Sequence, residues 1–301
     1  MKASCLLLII CLNLFIPADQ DNKNSVRSVI PIDYNLSDPD KIIILPSSLN
    51  EISGITEINA TTVAGIQDNN GILFIYDLKK EQIKIQDYFY ENGDYEGIAR
   101  VDNTIYVLRS DGELFEITNY ESSTFKVLSY KTGIPAKDNE GLCYDQKADR
   151  LLIGPKSNVG EKSENKERRF IFSFDLKSKK LIEKPAFIFD LSVIKKFALK
   201  NKIKVPLTKP KKGHKKEPLI EFRISALGIN HLTNRLFVLS GTEQLLFVFS
   251  MDGTIEYMEK LDPDLFPQPE GITFLKNGDM LISNESHGKK PTIVRINYLK
   301  K

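Results

Sequence analysis

The apolar positions of this chain fall into short alternating runs separated by turn residues, the pattern of half-buried strands joined by hairpins. The stretch from 94 to 130 is the clearest: a strand over 105–109, the turn Ser110-Asp111-Gly112, then strands over 113–118 and 124–130. The same order of parts follows each copy of a short phrase, a Ser or Glu, then Gly or Ala, then an aliphatic residue. The phrase reads Ile52-Ser53-Gly54-Ile55, Tyr95-Glu96-Gly97-Ile98, Asn139-Glu140-Gly141-Leu142, Ile224-Ser225-Ala226-Leu227 and Pro269-Glu270-Gly271-Ile272. Successive copies lie 43, 44, 85 and 45 residues apart, a period that fits a four-stranded propeller blade. The small residue lets backbones crowd together, as they must where blades converge on a central channel.

The other blades follow by analogy. The first holds strands over 54–57, 62–67, 71–77 and 82–88, with Asn69-Asn70-Gly71 as a hairpin turn. The third has strands over 150–154, 169–175 and 185–190, with a polar loop over 156–168. The fourth has strands over 236–240, 245–250 and 254–260, and the fifth has only three, over 271–274, 280–284 and 292–297. The apolar run 41–46 has no hairpin partner of its own, so it is expected to complete the fifth blade as its outer strand and close the ring. In the 85-residue gap, residues 191–222 hold ten Lys and three Pro without useful alternation. Such a segment cannot supply four strands. The expectation is an all-β, five-bladed propeller over 41–301, with an insertion at about 191–222 between blades 3 and 4 and one short helix over 192–202.

Composition adds limits. Forty-two Lys and Arg against 40 Asp and Glu leave a net charge of +2, which gives no broad field for nucleic acid. Locally the balance differs: residues 195–218 carry ten Lys and one Glu. The expected state is a solvated loop, with attraction to lipid headgroups or a phosphorylated ligand, or a flap over the channel mouth, as the alternatives. Residues 1–18 read as an export signal, with Lys2, an apolar run from Leu6 to Ile16 and a cleavage point after Ala18. Polar residues 19–40 read as a linker. Removal of the signal leaves Cys143 as the sole cysteine, a small apolar strand residue.

The chemistry gathers at the phrases. Antiparallel hairpins put each phrase beside the end of its second strand, and the steps from Ser53 to Asp68, Glu96 to Arg109, Glu140 to Lys156, Ser225 to Ser240 and Glu270 to Glu285 are 15, 13, 16, 15 and 15 residues. Glu96, Glu140 and Glu270 are therefore expected to ring one channel mouth as metal ligands, with Gln67, Asp68, Arg109, Lys156, Asn284 and Glu285 around them as ligand-binding residues. Carboxylates so placed repel one another and resist ionisation unless a positive charge intervenes. Arg109 and Lys156 are one remedy. A divalent cation is the other, and oxygen-only ligands favour Ca²⁺. A third reading makes the Glu side chains clasps that bond backbone N–H groups of neighbouring blades.

The phrases, with Asp94-Tyr95-Glu96-Gly97-Ile98, Asn139-Glu140-Gly141-Leu142-Cys143-Tyr144-Asp145, Leu239-Ser240 and Gln268-Pro269-Glu270-Gly271-Ile272, resemble the SdiA-regulated (YjiK/CarP) family of bacterial propellers over roughly residues 41–298. The resemblance implies a periplasmic or membrane-attached protein of a bacterial envelope, a link to calcium, and phytase-like or esterase-like labels without an established reaction. Its matched residues are Glu96, Glu140, Glu270, Lys156 and Glu285; the insertion and Ala226 depart from it. The function expected is an exported binding or scaffolding module that takes Ca²⁺ or a small anionic ligand. The alternative is a Ca²⁺-dependent phosphoester hydrolase in which Arg109 and Lys156 grip phosphate and a metal-bound water attacks.

Overall fold

Strong alternation is realised as strands throughout. The computed structural model describes residues 27–300 apart from 123, 157, 161–164 and 210–215. The export segment and residues 19–26 lie outside the described residues, as do Lys211, Lys212, His214 and Lys215 of the lysine run.

Five antiparallel sheets of four strands form among the described residues. Blade 1 is β2 (Ile52–Asn59), β3 (Thr62–Gln67), β4 (Ile72–Asp77) and β5 (Gln82–Tyr88). Blade 2 is β6 (Tyr95–Val101), β7 (Thr104–Arg109), β8 (Glu113–Thr118) and β9 (Lys126–Lys131). Blade 3 is β10 (Asn139–Asp145), β11 (Arg150–Pro155), β12 (Arg168–Asp175) and β13 (Lys180–Asp190). The α-helix α1 (Leu191–Lys200) follows, then blade 4: β14 (Ala226–Asn230), β15 (Arg235–Ser240), β16 (Leu245–Ser250) and β17 (Ile255–Lys260). Blade 5 takes β18 (Pro269–Phe274), β19 (Met280–Asn284) and β20 (Thr292–Ile296) from the end of the chain and β1 (Lys41–Ile44) from its start. β1 pairs with β20 in the register Ile42↔Val294 and Ile43↔Ile293, so the expected closure is present.

The inner strands β2, β6, β10, β14 and β18 each pack on the next, and β18 returns to β2. Five apolar clusters fill the gaps between neighbouring blades. One joins Ile66 and Ile75 of blade 1 to Val107 and Phe115 of blade 2, and another joins Phe237 and Val248 of blade 4 to Met280 and Val294 of blade 5. Alternating strands present one apolar face to each neighbour, so a ring is the arrangement that covers every face.

Three segments differ in detail from the sequence reading. β13 starts at Lys180, not 185, and a register irregularity opposite Ile171 and Ser173 accommodates Pro185 on this outer strand, where a missing N–H breaks no ladder. Residues 27–40, expected as linker, lie on the propeller: Tyr34 is buried among Phe237, Phe274 and Tyr298, and its hydroxyl donates to the Gly278 carbonyl at 2.6 Å. The insertion is anchored at both ends rather than solvated throughout. Asp190 caps α1 by accepting the Ser192 N–H at 2.7 Å, and Leu191, Ile194, Phe197 and Ala198 enter the core between blades 3 and 4. Its return is held by a bridge between Leu207 and Pro218 and by the buried Ile220, Phe222 and Ile224.

Candidate functional site

In four blades the phrase residue sits in a β-bulge. Register slips between Ile52 and Gly54, Tyr95 and Gly97, Asn139 and Gly141, and Pro269 and Gly271, leaving Ser53, Glu96, Glu140 and Glu270 unpaired in their ladders. In blade 4, β14 begins just after Ser225. A bulge re-aims a side chain out of the regular alternation, and Ser53, Glu96, Glu140, Ser225 and Glu270 line one constriction on the axis. The glycine after each Glu is required by close approach: a Cβ on Gly97 would lie 2.7 Å from the Glu140 carbonyl oxygen, and one on Gly141 2.7 Å from Leu227 Cγ. Gly241 makes room in the same way for Glu270, whose Oε1 would lie 2.8 Å from an added Cβ.

The two kinds of phrase residue do different work. Ser53 Oγ donates to the Tyr95 carbonyl at 2.6 Å and Ser225 Oγ to the Pro269 carbonyl at 3.0 Å, each tying its blade to the next. Serines are therefore the clasps. Glu140 is no clasp: one of its oxygens pairs with Lys156 and the other is buried without a partner.

Around Glu96 three carboxylates gather. The end of β3 is joined to the start of β6 by the Tyr95 N–H, which donates to the Asp68 carbonyl at 2.9 Å. That bond sets Asp68 beside Asp94 and Glu96, and one oxygen from each of the three lies within 4.8 Å of the others. Burial pushes Glu96 up to about 10, and the charges of Glu140, Asp94, Asp68 and Glu270 add to the push. Burial, a hydrogen bond with Asp94 and its charge raise Asp68 to about 7. Asp94, the exposed member, moves the other way: lost hydration pulls it up, but hydrogen bonds from Ser110, Asp68 and Glu96 outweigh that. The trio thus shares its protons: Glu96 and Asp68 are raised, and Asp94 is lowered by the hydrogen bonds they direct at it.

Beside it, Glu140 is 2 % exposed. One of its oxygens pairs with Lys156 Nζ, while Oε2 is buried with no partner. Burial and the charge of Glu270 hold Glu140 above the ordinary carboxylate range, against the pull of Lys156. Glu270 is raised by burial, partly relieved by Lys156 and by the Gln268 and Ser225 side chains. Glu285 accepts from Gln268 Nε2 at 2.6 Å, and burial with the charges of Glu270, Asp68 and Glu51 lifts it to about 8. Burial opposes the charge of Lys156, but Glu140 and Glu270 outweigh it and raise its pKa.

The remaining expected residues divide. Gln67 is buried at the mouth, its Oε1 accepting the Asn69 N–H at 3.4 Å. Asn284 donates to Thr292 Oγ1 at 3.1 Å and leaves its Oδ1 buried and unbonded. Arg109 is turned away: it donates to Asp111 at 3.0 and 2.8 Å and to Glu113 at 2.5 Å, and its guanidinium lies 5.5 Å from the Phe115 ring centroid. The nearby acids of its own hairpin capture it. Asp94 was not expected as a site residue. Its signal was its place two residues before Glu96, where the chain enters the mouth.

No family model matches the chain, and no curated protein matches it. The fold resembles solved structures instead. Glutaminyl cyclase of Myxococcus xanthus aligns over 86% of this chain and 95% of its own, at 11% identity and a TM-score of 0.56. A streptogramin B lyase aligns over 85% and 96%, at 13% identity and a TM-score of 0.47. Virginiamycin B lyase of Staphylococcus aureus aligns over 87% and 71%, at 14% identity and 0.42. Identity at this level speaks for fold alone. The chain is a five-bladed β-propeller with an acidic channel mouth.

Proposed function

We propose that this propeller is a binding protein of the bacterial envelope whose channel mouth takes a calcium ion on Asp68, Asp94 and Glu96, with Glu140 and Glu270 deeper along the axis. The observation that carries the reading is the carboxylate trio, whose oxygens lie within 4.8 Å of one another. Two oxygens on one Ca²⁺, each at about 2.4 Å, can stand no more than about 4.8 Å apart. The donor set is all oxygen, which suits a hard ion. The buried, unbonded Oε2 of Glu140 supports a positive or hydrogen-donating occupant near the axis.

Envelope location rests on the reading of residues 1–18 and on the resemblance to the SdiA-regulated family. A binding role ranks above the phosphoester-hydrolase alternative because Arg109, one of its two phosphate grips, is held by Asp111 and Glu113. The test is calorimetry with CaCl₂ on the purified protein and on a Glu96→Gln, Asp68→Asn double variant. Saturable binding that falls at least about tenfold in the variant is expected, since affinity follows the number of charged ligands. Equal affinity in both proteins, or none in either, would remove the reading.

A further inference from the structure

A second cavity, of about 550 Å³, opens between the end of β11, the start of β12, α1 and the return of the insertion. Its walls include Lys156, Arg169, Lys195, Ile220 and Arg223. Arg169 is 8 % exposed, and a guanidinium keeps its charge at any pH a protein meets. Its Nη1 donates to the Lys166 and Arg168 carbonyls at 3.1 and 2.8 Å. Its Nε is buried without a partner, and among the described residues only Nη1 is bonded.

The carboxylates near Arg169 are already engaged. Glu167 holds Lys195 at 3.1 Å, and Glu221 holds Arg223 at 2.6 Å. Glu243 accepts the Ser240 hydroxyl at 2.7 Å and the backbone N–H groups of Glu221 and Arg223 at 2.7 and 3.3 Å. Among the described residues none pairs with Arg169. Phe222 explains part of this: its ring is buried against Phe189, Phe247 and Phe249, which turns Glu221 and Arg223 on either side of it outward. A buried charge without a counter-charge is costly, and it is tolerated where a bound partner completes it.

We propose that this cavity is an anion site, in which Arg169 takes an oxyanion group of a small molecule, a carboxylate or a phosphate, with Lys195 and Lys156 in the walls. A guanidinium N–H makes a charge-assisted hydrogen bond to either group. Asp138, Glu167 and Glu221 in the wall set the opposing charge; Lys195 and Arg223 pair with the last two, and Lys166 offsets Asp138. Lys156 also bonds Glu140, so the site adjoins the acidic mouth through one side chain. The inference goes beyond the calcium reading and stands without it.

The test titrates the purified protein with inorganic phosphate and, separately, with malonate in a calorimeter. Saturable binding of at least one is expected, weakened about ten- to a hundredfold in Arg169→Gln, as for loss of a hydrogen bond to a charged group. Arg169→Lys falls between. Preference for phosphate assigns a phosphate ester, and preference for malonate an organic acid. If Arg169→Gln does not fold, Lys195→Ala on the cavity wall serves in its place, with a smaller loss expected. No saturable binding of either anion, or equal affinity in wild type and the folded variant, overturns the proposal and leaves Arg169 as a tie between the carbonyls of 166 and 168.

Discussion

At the scale of single residues, the acidic mouth makes stability and ion binding oppose each other. Asp68 and Glu285 sit at about 7 and 8, each lifted chiefly by burial. Between about pH 4, where such acids titrate in the unfolded chain, and these values the native state binds more protons than the unfolded state. Stability therefore falls as pH rises through that window. The melting temperature of calcium-free protein is expected to decline from pH 5 to pH 8, and saturating Ca²⁺ to abolish the decline by replacing the protons. A flat profile without the ion would contradict the assigned burial. Glu96→Gln carries the same logic in one variant. It is expected to raise the melting temperature at pH 8 while weakening Ca²⁺ binding, whereas a purely structural role for Glu96 would lower the former.

At the scale of elements, the bulge and the following glycine form one device. The bulge turns a carboxylate toward the axis, and the glycine lets the neighbouring inner strand close over it. Gly97→Ala would set a Cβ 2.6 Å from Leu142 Cβ and 2.7 Å from the Glu140 carbonyl oxygen. One of those neighbours is backbone and cannot swing aside, so a loss of about 1–3 kcal/mol is expected in urea unfolding, the usual cost of overpacking. An unchanged midpoint would show that the inner strands have slack. The repeat of these elements was legible because Ser or Glu, Gly and an aliphatic residue recur at a blade's spacing. Strand counting put Arg109 at the end of β7, where it lies. Counting could not reveal its partners, because Asp111 and Glu113 compete for it within one hairpin. Asp94 escaped for the opposite reason: it lies outside the strand count, yet the bond between Tyr95 and Asp68 carries it into the cluster.

At the scale of the whole molecule, the ring is closed by the pairing of β1 with β20 from opposite ends of the chain. The closing strand was readable as an apolar run without a hairpin partner. The docking of residues 29–36 was not, because its anchors Tyr34 and Leu36 lie in a polar stretch and find their partners, such as Phe237 and Phe274, only once blades 4 and 5 exist. Ile43 of β1 is fully buried between blades 5 and 1. Ile43→Ala is expected to cost about 2–5 kcal/mol in urea unfolding, as for other buried aliphatic truncations. A loss below 1 kcal/mol, on the order of an exposed substitution, would mean that the ring does not depend on this strand. Closure matters for function because Asp68 belongs to blade 1, Asp94 and Glu96 to the entry and first strand of blade 2, and Glu270 to blade 5. Only a closed ring holds them about one axis. The most direct measurement is an anomalous difference map from crystals soaked in Mn²⁺, an anomalous scatterer that shares the preference of Ca²⁺ for oxygen. The account predicts one peak in the channel mouth, in coordination contact with oxygens of Asp68, Asp94 and Glu96. A mouth without a peak, or a peak bound only elsewhere on the molecule, would contradict it.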